Sequence, residues 1–177
     1  RCAKSIIEKA QMWNPEILPN PNAIDGHVES LKTYDIHTFR RNDAILCRNT
    51  APLISMAFSM IARDIPVNVL GRDIGAGLVS YIQSLKCSKI TDLVDMLEKD
   101  YLNKTRNLTE EKDGSKIEKL TDQKDVIMIF IKNNDDNRVS TLCSVIENFF
   151  GEDKEDNVTL CTVHKSKGHE WNRVFLL

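Results

Sequence analysis

The chain has 177 residues, 41% of them hydrophobic and 28% charged, with a formal net charge of -2. That suffices for one good core with material left for a subdomain. The near-neutral balance excludes a global basic field, so any nucleic-acid contact has to come from a local patch. No apolar run approaches the roughly 20 residues of a membrane span and no signal-peptide pattern opens the chain, so a soluble, cytoplasmic protein with no membrane partner is expected.

In chain order, "RCAKSIIEKAQM" (1–12) sets Ile6, Ile7 and Ala10 at helical spacing. "NPEILPNPN" carries Pro15, Pro19 and Pro21 and reads as a loop, with Trp13 beside it expected to lid the core. "GHVESLKTY" (26–34) is a strand candidate. "DAILCR" (43–48) is the short apolar run of a buried parallel strand. Leu53, Met56, Ala57, Met60 and Ile61 then recur at helical steps. "IPVNVLG" (65–71) is the next strand, and "GAGLVSYIQSL" resumes a helical pattern. Strand, helix, strand, helix predicts an α/β parallel sheet.

From about residue 88 the pattern changes. Ile90, Leu93, Val94 and Leu97 share one helical face, and "DQKDVIMIFIKNN" and "STLCSVIENFF" predict two further helices joined by "NNDDNR". After the acidic "GEDKEDN" come a strand at Val158, a polar turn element and a last strand over 173–177. Residues 1–87 and 155–177 are therefore expected to form one discontinuous α/β domain, interrupted by a helical insertion at 88–154. The chain starts at Arg1 and stops on an apolar strand, so it reads as part of a longer polypeptide. Its five cysteines have no tight spacing; Cys47, Cys143 and Cys161 lie in apolar surroundings and are expected as buried thiols of a reducing compartment.

The stretch "VTLCTVHKSKGHEWNRVFLL" (158–177) is unusual, because joining two strands does not call for His-Lys-Ser-Lys-Gly-His-Glu. It resembles the fifth conserved motif of superfamily 1 helicases of the UvrD/Rep/PcrA type, approximately T-x-H-x-x-K-G-L-E-[FW] followed by an apolar strand. Thr162, His164, Lys167, Gly168, Glu170 and Trp171 match it, and His169 replaces the usual leucine. "RCAKSIIEKAQ" is similar to the family's Y-R-S-T-x-x-I-x-x-A-N segment, with Arg1 as the motif arginine. "AILCRNTAPL" is similar to its strand followed by Arg-Thr-Asn-Ala, with Arg48 matching and Asn49-Thr50 in swapped order. "IPVNVLGRDIGAGLVSYIQSL" resembles the following strand, Gly-Gly and helix, with Arg72 in place of the second glycine.

The resemblance covers roughly 1–87 and 156–177. It implies a RecA-like parallel sheet flanked by helices (the 2A domain) and places 88–154 where the family inserts its accessory 2B domain. It also implies ATP with Mg2+ as cofactor, single-stranded DNA as substrate, and an N-terminal RecA-like domain of the same chain as partner.

The residues carry chemistry that fits. A loop leaving the carboxyl end of a parallel strand lies where α/β sheets bind ligands. Glu170 can accept a hydrogen bond from a ribose hydroxyl, Gly168 permits close backbone approach, and Lys167 can serve nucleotide or nucleic acid. Thr162 and His164 can donate to DNA phosphates, as can Arg48 and Thr50. Arg48 is expected to contact DNA rather than stand as a solvated charge, Arg72 reads equally as either, and Trp171 is expected to pack beneath its loop. Arg1 suits a γ-phosphate, the arginine-finger role.

No G-x-x-x-x-G-K-[ST] phosphate loop is present, and the Mg2+ ligands and the family's sixth motif are expected outside these residues. The 177 residues alone are expected neither to hydrolyse ATP nor to unwind DNA. The motor of an AddA- or RecB-type helicase-nuclease, and a non-catalytic RecA-like module, are the alternatives. A protein partner would dock through 88–154.

Overall fold

The computed structural model describes residues 2–151 and 156–177. Two compact units divide the chain, one running to Thr38 and one from Phe39 to Leu177.

The first unit holds helix α1 (Lys4–Gln11), which buries Ile7, and a 3-10 turn at Ile36–Thr38. The strand expected at 26–34 does not form, and that stretch is irregular. Its Val28 and Leu31 stand three residues apart, which breaks the two-residue period a half-buried strand needs; both are exposed. Trp13 is 76% exposed rather than a lid. An eight-residue helix burying one isoleucine offers no apolar platform for the ring to cover.

The second unit is built on a five-stranded, wholly parallel sheet in the order β3-β2-β4-β1-β5. Its strands are β1 (Asp43–Cys47), β2 (Val67–Leu70), β3 (Phe150–Gly151), β4 (Val158–Thr162) and β5 (Arg173–Leu176). Every residue of β1 and β4 is buried, as expected of central strands covered on both faces. On β5 half-buried and exposed residues alternate, the signature of an edge strand.

Helix α2 (Thr50–Ile61) follows β1 and buries Leu53, Ile54, Met56, Ala57 and Met60, whereas Ile61 is exposed at its end. Pro52 sits in its first turn, where a missing N–H costs no intrahelical bond. Helix α3 (Arg72–Ser84) follows β2, and Gly71 between them takes φ +134°. A Cβ on Gly71 would press on the mobile end of Ile74, 2.7 Å from Cδ1, but it is the backbone conformation that requires glycine.

Helices α4 (Ile90–Thr105), α5 (Glu110–Lys132) and α6 (Val139–Phe149) fill the stretch before β3 and lie in the same compact unit as the sheet. Helix α5 packs on α2 and on α4, and α6 on α3. Phe58 of α2, Phe130 of α5, Phe149 of α6 and Phe150 of β3 form a ring cluster with centroids 4.8–6.2 Å apart. Polar staples add to it: the Tyr81 hydroxyl donates to Asp100, Tyr101 and Thr121 hydroxyls lie 3.0 Å apart, and Lys124 Nζ sits 4.0 Å over the Tyr101 ring. The α/β, RecA-like expectation for the sheet and its helices is met.

The cysteines are thiols, with Cys47, Cys143 and Cys161 buried as expected, Cys87 half-buried and Cys2 exposed. No described helix is long and apolar enough to cross a membrane.

The chain leaves β1 toward β2 in one direction along the sheet and leaves β4 toward β5 in the other. Each connection passes the other strand, so the carboxyl ends of β1 and β4 stand side by side at the edge where parallel α/β sheets bind ligands.

Candidate functional site

The register pairs Cys47 of β1 with Thr162 of β4, so both strands end at the same level. The Val163 N–H still donates to the Cys47 carbonyl at 3.1 Å, one residue past the ladder. Arg48, first after β1, and the 163–170 loop, first after β4, therefore leave the sheet side by side.

The loop is folded by its own short-range bonds. The Thr162 carbonyl accepts from the N–H groups of Lys165 (2.9 Å) and Ser166 (3.1 Å), and the Ser166 hydroxyl donates to the Val163 carbonyl at 2.8 Å. The Ser166 carbonyl accepts from the His169 N–H at 3.1 Å. Gly168 adopts φ +89°, a left-handed conformation that side chains disfavour, and a Cβ there would meet no atom within 4 Å. Backbone conformation, not crowding, selects this glycine, and the space beside it is open.

Lys165 reaches out of the loop to Asp73 in the first turn of α3, with Nζ 2.7 and 2.8 Å from the two carboxylate oxygens. That hydrogen bond holds the Asp73 carboxyl below its usual range. The motif loop is thus pinned to a third carboxyl-edge element, the β2–α3 junction, where Arg72 is exposed.

His164, Lys167, Gly168 and Glu170 are all exposed. Trp171 is half-buried and packs on Ala44, Leu46, Leu70 and Cys161, the position expected for it. The His169 ring stacks on Trp171 at 5.3 Å and 5° between planes. At the position where the motif carries leucine, a flat ring continues the cover over the indole.

Thr50 and Thr162 are buried at 9% exposure each. The Thr162 hydroxyl accepts weakly from the Lys165 N–H at 3.4 Å, so it braces the loop from beneath. Arg48 is exposed but engaged: its Nε and one terminal nitrogen donate to the two carboxylate oxygens of Glu118 on α5, both at 3.1 Å. Asp122, one turn further along α5, accepts from the backbone N–H groups of Thr50 (2.9 Å) and Ala51 (2.8 Å) and so caps α2. Asn49 and Arg48 together hold the Glu118 carboxyl below its usual range. Arg1 lies outside the described residues.

Glu118, Asp122, Asp73 and Lys165 escape sequence reasoning. The first two lie some seventy residues from their partners in a stretch without a recognisable motif. Asp73 carried one usable signal, an acid in a helix's first turn.

Among the described residues, no group of three or more His, Cys, Asp or Glu is arranged to hold a metal ion. The open space beside Gly168, flanked by exposed Lys167 and Glu170, suits the sugar and phosphate side of a nucleotide held mainly by other groups.

A family model described as UvrD-like helicase C-terminal domain matches residues 80–177, more than half of the chain. Comparison with curated proteins and with solved structures returns no match.

Proposed function

The chain belongs to the UvrD-like helicase C-terminal domain family, and from that membership we propose that it serves as the C-terminal RecA-like motor domain of an ATP-dependent DNA helicase. One observation above all supports this reading: the H-x-x-K-G-x-E loop leaves β4 exposed at the sheet's carboxyl edge, beside the strand end that carries Arg48. Two ligands can then be served from one edge.

On the nucleotide side, Glu170 accepts a ribose hydroxyl, Gly168 lets the sugar approach the backbone, and Lys167 contributes positive charge. Arg1, outside the described residues, is assigned the γ-phosphate by the motif resemblance alone. On the nucleic-acid side, Arg48 and His164 are the exposed donors for backbone phosphates of single-stranded DNA. The buried Thr50 and Thr162 act through the turns they shape.

ATP with Mg2+ supplies the free energy of phosphoryl transfer when bound. Its phosphates and metal would be held by a phosphate-loop domain of the same polypeptide, the N-terminal RecA-like partner that the family membership implies. Closure of the cleft between the two domains alternates the grip on the strand. Residues 88–154 are read as a reduced counterpart of the family's accessory insertion, with α5 and α6 packed on α2 and α3, and as the surface open to a protein partner.

Titration of a fluorescent oligothymidylate into the 177-residue chain tests the reading. Binding weakens linearly in log salt, and His164→Ala lowers affinity about three- to ten-fold with the fold retained. ATP turnover by the chain alone stays at background. Binding indifferent to salt and to His164→Ala, or robust turnover by these residues alone, refutes the proposal.

A further inference from the structure

The side chains of α5 answer the anion-binding features of the β1–α2 turn one for one. That turn offers an anion two things, the guanidinium fork of Arg48 and the free N–H groups that open α2. Glu118 takes the fork with both carboxylate oxygens at 3.1 Å, and Asp122 takes the Thr50 and Ala51 N–H groups at 2.9 and 2.8 Å. The two acids stand four residues apart on α5 and so share one face of the helix.

They differ in setting. The Asp122 hydrogen bonds are partly buried, and truncating that residue would uncap a helix. The Arg48–Glu118 pair is open to water, with side-chain exposures of 73% and 39%, so it can exchange partners at little cost.

We propose that Glu118 is an intramolecular competitor for the strand: it occupies the phosphate seat of Arg48, and nucleic acid enters this turn by exchanging a backbone phosphate for the carboxylate. The inference rests on the reading of Arg48 as a phosphate ligand. Two carboxylate oxygens across a planar fork imitate two phosphate oxygens, and both pair bidentately with arginine. Glu118 therefore sets how tightly the edge holds a strand and favours release when another contact, such as that of His164, is lost. A helix of the 88–154 segment thus bears directly on the strand-facing edge of the sheet.

The competing account is that Glu118 positions Arg48 for the strand, and the two accounts predict opposite signs. Affinity for a labelled oligothymidylate is measured at fixed low salt for the parent chain, Glu118→Gln, Glu118→Ala, Arg48→Ala and the Arg48→Ala/Glu118→Ala double variant, with melting curves as a fold check. Competition predicts about three- to five-fold tighter binding for both Glu118 variants. The gain disappears in the Arg48→Ala background, because the carboxylate then competes for nothing. Glu111→Gln, the same change of charge in the first turn of α5, leaves affinity within about two-fold, which separates local exchange from the general field.

Weaker binding by the Glu118 variants, or a gain that survives loss of Arg48, overturns the inference while leaving Arg48 as a ligand. If Arg48→Ala itself leaves affinity unchanged, or no variant binds, the underlying reading of Arg48 fails and the competitor role falls with it.

Discussion

Asp43 is an acid at 3% exposure on a central strand, and its neighbours explain how it is tolerated. Arg173 of β5 pairs with it in two bonds of 2.9 and 2.7 Å, and the Arg40 N–H donates a third at 2.7 Å. The guanidinium also lies 5.2 Å over the Phe175 ring, which meets Phe39 edge-on at 4.9 Å. Removing the cation would strand a buried carboxylate, the costly way to break such a pair. Because Arg173 is partly exposed, Arg173→Ala is expected to cost about 2–3 kcal/mol in urea unfolding, with Arg173→Lys recovering part of it. A loss below about 0.5 kcal/mol would show that water already satisfies Asp43.

Single residues also mark where motif reasoning stops short. His164, Lys167, Gly168 and Glu170 were identifiable because their spacing is local, and all four are exposed at one edge. Thr50 and Thr162 have the right chemistry for phosphate, but their burial depends on α2, α5 and the loop, which no local pattern reveals.

Among the elements, α5 shows most clearly how local and long-range terms divide. Its carboxyl-terminal half is apolar on one face, and Val126, Ile127 and Phe130 are buried as the helical pattern implies. Its first three turns are almost wholly polar. They are helical in the structure because acids at Glu110, Glu111 and Asp113 suit a helix start, and because Glu118 pairs with Arg48 just ahead of Thr121 and Lys124, which meet Tyr101 of α4. The helix consequently begins twelve residues before the stretch from Asp122 that its apolar pattern marks.

Strand β3 is too short to show any period and exists only because β2 offers an unpaired edge to Phe150 and Gly151. Truncating Phe130, fully buried at the centre of the phenylalanine cluster, is expected to cost about 3–5 kcal/mol. Asp122→Ala, which removes only the cap of α2, is expected to cost about 1 kcal/mol. Thermal or chemical melts of both variants check the ranking, and equal losses would mean that α5 is held by its polar contacts rather than by its rings.

At the level of the folded chain, the two units differ in what they can protect. The unit beginning at Phe39 has buried strands at its centre, whereas the unit ending at Thr38 buries Ile7 and leaves Met12, Trp13, Leu18 and Ile24 exposed. Native-state hydrogen exchange should therefore be slowest at β1 and β4, approaching the global unfolding limit, and fast through 13–34. Comparable protection in both regions would contradict a core confined to the sheet unit.

Local order was readable in advance: the strand-helix alternation, the burial of β1, and the polar loop with its family signature. These follow from side-chain period and from short-range spacing, which a linear string preserves. Folding alone joined Asp122 to the start of α2, Lys165 to Asp73 and Glu118 to Arg48, and it inserted β4 between β1 and β2. Such contacts bring together groups dozens of residues apart, and their partners are chosen by how helices pack, which leaves no repeat in the order of amino acids.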